Sequence, residues 1–162
     1  MLKKHSLRIL NGPSKMAEIE GVIVKPLKQF VDDRGAVMRV FRNYDHDVDV
    51  NEVYISRVNH GVVKGWKCHH KMTQRFVVPY GSMKLVLFDG REDSPTKGIR
   101  MEIILDAKDN YQQLTVPHGV WYAFGCLSDD FALMLNVADM IHEDNEADVL
   151  PLENDVINYS WK

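Results

Sequence analysis

The run QRFVVPYGSMKLVLFD, Gln74 to Asp89, reads as two strands joined at a single glycine, Gly81. Its residues are branched, aromatic or long and apolar, and in RFVVPY and KLVLFD nearly every position is apolar rather than every second one. Such a run predicts strands covered on both faces, central to a closed barrel or buried at a subunit interface. Outward from it the pattern recurs. GVIVKPL (21–27), AVMRVFR (36–42), EVYISRV (52–58), VVKGWK (62–67), IRMEIIL (99–105), QQLTVP (112–117), VWYAF (120–124) and ALMLNVA (132–138) are further strand candidates, with a last one near VINYSW (156–161). Many short strands at regular spacing, parted by Gly, Asp, Asn and Pro, predict an all-β sandwich or barrel. Helical signals are weak: IHEDNEADVL (141–150) predicts one or two turns at most. Residues 1–20 read as an N-terminal arm, a turn or loose extension around NGPS, and residues 21–162 as a single domain.

The chain has 162 residues, 45% of them hydrophobic, enough for one real core. A formal charge of -3, from 20 basic and 23 acidic residues spread along the chain, argues against nucleic acid and anionic membrane as partners. A small anion such as a nucleotide diphosphate stays open, because two or three placed Arg or Lys side chains suffice for it. The only cysteines, Cys68 and Cys126, make no disulfide framework. With no apolar run of signal-peptide or membrane-spanning length, the expectation is a cytoplasmic protein.

Chemistry concentrates in KGWKCHHKMTQ, Lys64 to Gln74. Strand alternation puts Lys67 and His69 on one face and Cys68 and His70 on the other, with His70 expected to be exposed. Gly61, five residues, Lys67-Cys68-His69, four residues, Gln74, six residues and Gly81 resemble the first cupin motif. Pro117-His118-Gly119-Val120-Trp121-Tyr122 resembles the second. By that resemblance the four metal-ligand positions of metal-binding cupins hold Lys67, His69, Gln74 and Tyr122. Only His69 is a good ligand, so no bound metal and no cofactor is expected. A calcium loop at Asp45 to Asp49 also fails, since the required glycine is Val50 and the closing Glu position is Ser56.

Three longer segments narrow the resemblance. DDRGAVMRVF (32–41), GVVKGWK (61–67) and DGREDSPTKG (89–98) resemble, in order, the D-x-R-G, GVLRGLH and D-x-R-x-x-SPT-x-G segments of the dTDP-4-dehydrorhamnose 3,5-epimerase family. With LTVPHGVWYAF, LNVADMIHEDNE and Trp161, the similarity runs from about Gly21 to Trp161. It implies a jelly-roll cupin, a homodimer, acting without metal on a nucleotide-linked 4-keto-6-deoxy sugar for surface polysaccharide, O-antigen (lipopolysaccharide) or capsule. By the same resemblance a histidine removes the proton beside the ketone, a lysine stabilises the enolate, a tyrosine returns a proton on the other face and an aspartate orients the histidine. Here the histidine position holds Lys67 and the lysine position falls on Gln74 or Arg75. The tyrosine position holds Met140 or Ile141, and the aspartate falls near Asn154 or Asp155.

The family's residue set is therefore not inherited intact, and the pocket calls for its own assignment. An ammonium, an imidazole, an amide and a phenol are expected in one barrel mouth, with His69 as base, Lys67 facing the enolate oxygen and Tyr122 as proton donor or anchor on the opposite wall. For His69 the alternative is a hydrogen-bonded pocket residue, and for Tyr122 and Trp121 aromatic packing at a barrel end. Arg34, Lys64 and Arg91 are expected diphosphate partners, Arg91 alternatively stabilising the SPT turn, and Gln74 and His118 are expected at the substrate. The function expected is a nucleotide-sugar epimerase or isomerase. The alternatives are a 3,4-ketoisomerase, a catalytically inactive sugar-nucleotide-binding cupin and a metal-dependent cupin with unusual ligands.

Overall fold

The computed structural model describes residues 8–10, 19–43 and 49–161, and every regular element among them is a strand. In chain order these are β1 (Arg8–Leu10), β2 (Ile23–Pro26), β3 (Gln29–Asp32), β4 (Gly35–Met38), β5 (Glu52–Asn59), β6 (Val63–His69) and β7 (Gln74–Tyr80). They continue with β8 (Ser82–Asp89), β9 (Arg100–Asp106), β10 (Gln112–Val116), β11 (Val120–Cys126), β12 (Phe131–Ala138) and β13 (Ala147–Leu150). Two five-stranded antiparallel sheets, ordered β2-β10-β7-β12-β5 and β13-β6-β11-β8-β9, face each other as a jelly roll. A third, small sheet joins β1, β3 and β4. Of the candidate calcium segment Asp45 to Asp49, residues 45–48 lie outside the described residues.

The two runs around Gly81 become β7 and β8, one in each large sheet. Gly81 has φ 77°, and a Cβ there would meet Ala132 Cβ at 2.9 Å and Phe131 O at 2.9 Å, so the crossing between the sheets admits only glycine. Period-2 alternation then assigns the faces. Phe76 and Val78 from β7, Leu85 and Leu87 from β8 and Val120, Tyr122 and Phe124 from β11 point between the sheets into the main core.

The outward faces are covered as well, by the chain itself. Val86 and Ala123 pack with Trp66 and Ile157 beneath a tail carrying Tyr159 and Trp161. Val77 packs with Leu27 and Tyr111, flanked by Met38, Val40 and Leu135. Double-sided burial of these strands thus needs no second subunit.

Three local expectations change. The stretch 156–161 forms no strand but a turn and an extended cover, because its aromatic rings fill the outer face of the second sheet. The stretch 141–150 forms no helical turns: turn residues lead directly into β13, which completes the edge beside β6. Within the arm, residues 8–10 are a strand paired with β3.

Candidate active site

β6, β11 and β13 build one wall of the barrel mouth. Tyr122 pairs directly with Lys67, and Ala147 with His69. Between Tyr122 and Phe124 the register shifts, so that Phe124 lies opposite Lys64. β6 carries one extra residue there, a bulge at Gly65 and Trp66. Strict alternation would set Lys64 and Lys67 on opposite faces. The bulge instead puts both opposite inward-facing residues of β11. Val149, paired with Lys67, is 72% exposed, so this side of the mouth opens to solvent.

Inside that wall His69 is buried and bonded at both ring nitrogens. Nδ1 meets Glu146 Oε2 and Nε2 meets Tyr122 Oη at 3.0 Å. Glu146 is equally buried, and its other oxygen accepts the backbone N–H groups of Lys71 at 2.8 Å and Met72 at 2.9 Å. Burial opposes ionisation of Glu146, but the bonds from His69, Met72 and Lys71 outweigh it and bring its pKa down to about 2. An ionised carboxylate only accepts, so Nδ1–H donates to Glu146 and Nε2 accepts from the Tyr122 hydroxyl. Burial first, then the Lys67 charge and that of His142, push the His69 pKa down against the pull of Glu146, leaving a neutral imidazole with Nε2 as its basic nitrogen. Burial also raises the Tyr122 phenol. The His69 carbonyl accepts from Gly119 N–H at 2.8 Å, which ties His69 to the β10–β11 turn.

The facing wall comes from the other sheet. Phe76 of β7 meets the Tyr122 ring edge-on, 5.1 Å between centroids. Two residues earlier on the same face, buried Gln74 donates from Nε2 to Tyr54 Oη at 3.1 Å, while its buried Oε1 has no hydrogen-bond partner among the described residues. Tyr54 of β5 is half-exposed at the rim. Its strand is fixed by Asn136, whose Nδ2 donates to the Tyr54 carbonyl at 3.3 Å and to Ser56 Oγ at 3.1 Å.

The sequence-derived residues separate into groups. His69, Tyr122 and Lys67 are brought together. Tyr122, however, is not on the opposite wall: it belongs to the strand next to His69, because β11 pairs with β6. Gln74 lines the facing wall. Lys64 and His118 are exposed at the rim strand and on the β10–β11 turn. Arg34 sits on the exposed β3–β4 hairpin, ion-paired to Asp32 at 2.5 Å. Arg91 is tied into its own loop: Nε donates to Asp89 Oδ1 at 2.8 Å and Nη2 to Asp89 Oδ2 at 2.9 Å and to the Glu20 carbonyl at 2.8 Å. That is the alternative structural role around the SPT turn. His70 is exposed and pairs with Asp148 at 3.0 Å.

The carboxylate bonded to His69 is that of Glu146, not of a residue near Asn154 or Asp155. Asn154 accepts from Ile157 N–H and donates to the Pro151 carbonyl, capping a turn under the aromatic tail. Glu146 was missed because it stands in the acidic stretch HEDNE, where nothing local separates it from its neighbours. As a metal set the residues are unsuited: the one imidazole is engaged at both nitrogens, and its neighbours are an ammonium, an amide and a phenol that burial keeps protonated.

A family model described as dTDP-4-dehydrorhamnose 3,5-epimerase matches residues 16–162. The chain is 30% identical over 151 residues to a Haloferax volcanii protein named "Probable low-salt glycan biosynthesis epimerase", covering 90% of this chain and 96% of that one. It is 28% identical to a spore coat polysaccharide biosynthesis protein of Bacillus subtilis, covering 88% and 96%. Among solved structures, a dTDP sugar isomerase from Desulfovibrio desulfuricans superposes with a TM-score of 0.87 at 36% identity, covering 91% of this chain and 95% of that one. A 3'-monoepimerase from Streptomyces bikiniensis, solved with dTDP, has a TM-score of 0.81 at 21% identity, covering 93% and 78%, a likeness of fold.

Proposed function

This chain belongs to the dTDP-4-dehydrorhamnose 3,5-epimerase family, and from that premise we propose that it is a metal-free nucleotide-sugar epimerase of surface-polysaccharide synthesis. Its substrate is a dTDP-linked 4-keto-6-deoxy sugar. The observation that carries the reading is the buried, neutral His69, held by Glu146 and touching the Tyr122 hydroxyl.

A carbon next to a ketone loses its proton readily only when a neutral base is in reach and a cation faces the oxygen that becomes negative. His69 Nε2 takes that proton while the C–H electrons form the enolate. Lys67, on the same face, receives the enolate oxygen. Glu146 fixes the ring and its tautomer and stabilises the imidazolium that forms. Tyr122 keeps Nε2 unprotonated in the free enzyme, then yields it to the substrate and shares the abstracted proton. Gln74 Oε1, a buried acceptor lacking a donor among the described residues, takes a hydrogen bond from a sugar hydroxyl. Lys64 and Arg34 supply diphosphate contacts and His118 approaches the substrate from its turn. Arg91, being engaged by Asp89, contributes through its loop.

The same reading places the protein in the cytoplasm, in keeping with two buried free thiols, Cys68 and Cys126. It also makes the protein a homodimer, in keeping with Val53 and Ile55 exposed on the edge strand β5. No helix among the described residues is long and apolar enough to cross a membrane.

Incubation with dTDP-4-keto-6-deoxyglucose in heavy water, followed by proton NMR, tests the function. Solvent deuterium at C3 or C5 with inversion is the expected result. No uptake would identify a binding protein instead, and migration of the ketone to C3 a ketoisomerase.

A further inference from the structure

We propose that Tyr54 is the acid that delivers a proton to the substrate carbon on the face opposite His69, with Gln74 positioning its hydroxyl. The proposal rests on the reading of His69 as base. Inversion requires that the proton returned come from the other side of the enolate. Tyr122 is unsuited to this, because its hydroxyl lies 3.0 Å from the basic nitrogen and on the adjacent strand of the same sheet. A phenol on the facing sheet has the required placement, and Tyr54 is one.

Its position follows from the register. Tyr54 pairs with Asn136, and Asn136 with Phe76, so all three share the inner face of their sheet. Phe76 crosses the gap to touch the Tyr122 ring at 5.1 Å between centroids. Gln74, on that same face, donates to the Tyr54 oxygen at 3.1 Å. An oxygen that already accepts from an amide leaves its own O–H directed elsewhere, and the same amide stabilises the phenolate left after proton transfer. Asn136, buried and bonded to the Tyr54 carbonyl, fixes the backbone from which the phenol projects.

The step balances simply. The C–H bond breaks with its proton going to His69 Nε2 and its electrons to the enolate. The Tyr54 O–H bond then breaks as a new C–H bond forms on the opposite face and the ketone is restored. What remains is a Tyr54 phenolate and a His69 imidazolium. Tyr54 lies at the solvent-exposed rim and regains a proton from water, while His69 releases its own. The inverted carbon therefore carries a solvent-derived hydrogen.

The test compares exchange with inversion for Tyr54→Phe, using dTDP-4-keto-6-deoxyglucose in heavy water, with dTDP binding by calorimetry as the check on a folded site. Inversion is expected to fall about 100-fold or more, while deuterium still enters recovered substrate with its configuration retained, through His69 and Tyr122. A variant that inverts at the wild-type rate overturns the proposal. So does one that binds dTDP yet loses exchange and inversion in equal measure, which marks a structural role. Should Tyr54→Phe fail to bind dTDP, Gln74→Met decides by the same ratio, expected to fall and overturned if unchanged. Wild-type protein that neither exchanges nor inverts would instead sink the assignment of His69, a distinguishable result.

Discussion

Two buried carboxylates, Asp89 and Glu146, look alike by burial and charge but end in different kinds of partner. Asp89 accepts from Arg91 N–H at 3.1 Å, from Arg91 Nε and Nη2, from Ser94 Oγ at 2.6 Å and from Thr96 Oγ1 at 2.7 Å. Burial disfavours its charge, yet these donors hold its pKa well below the ordinary carboxylate range. Every partner belongs to the loop of residues 89–98, and Arg91 and Thr96 also bond the Glu20 backbone, so the cluster locks that loop and ties it to the segment before β2. Glu146 likewise satisfies two backbone N–H groups, but its third partner is an imidazole whose other nitrogen can move a proton. A depressed carboxylate pKa by itself therefore marks structure and site equally; what separates them is whether the hydrogen-bond chain ends in a titratable group.

The largest effect that would sharpen the contrast is on turnover. His69→Asn should lower deuterium uptake into the keto sugar by about 10²–10⁴-fold, measured by NMR. Uptake at the wild-type rate would return His69 to the role of a hydrogen-bonded pocket residue.

Asp89→Asn attacks the other cluster. It leaves the Arg91 guanidinium without its counter-charge and should cost about 3 kcal/mol of folding stability in urea titrations. Turnover per folded molecule should stay near wild type, and a selective loss of turnover would mean that the loop belongs to the site.

Glu146→Gln falls between the two. Loss of the orienting charge should lower turnover by about 10–100-fold, by analogy with carboxylates that orient metal-bound histidines. The residual proton transfer should still be abolished by His69→Asn.

The smallest effect is a separation of two pH windows. Burial keeps the His69 pKa below its ordinary 6.5, so kcat/KM should be level above pH 6.5 and fall as the pH drops through the folded-state value. Stability has the same sign: the unfolded chain takes up the proton first, so this contribution is present above 6.5 and lost below. Glu146 acts lower, since its pKa falls from 4.5 to about 2, and its contribution is present above pH 4.5 and lost as the pH falls toward 2. Stability followed from pH 8 to 3 should therefore decline in two steps, the first beginning below pH 6.5 together with the loss of activity and the second below 4.5, and an activity that falls only in the second window would contradict the assignment.

Most strands were legible because branched and aromatic runs bounded by Gly, Asn and Asp have few other conformations open to them. The failures were at the edges. Residues 156–161 have strand composition but pack as a cover, since their rings find the apolar outer face around Trp66 and Val86. Within the candidate site, the common face of Lys67 and His69 was legible because the side-chain period of two is a local property. The bulge at Gly65 and Trp66, the adjacency rather than opposition of Tyr122, and the partners Glu146 and Tyr54 were not, because each depends on which strands become neighbours.

By itself the sequence determined an all-β chain, the family to which it belongs and the strand face that carries the imidazole and the ammonium. These follow from local stereochemistry and from ordered motifs. Only the tertiary structure decided that a glutamate 77 residues along the chain would hold that imidazole and that the facing phenol would be Tyr54. Hydrogen bonds between distant segments form only once sheet pairing has fixed the register, and no local pattern encodes that pairing.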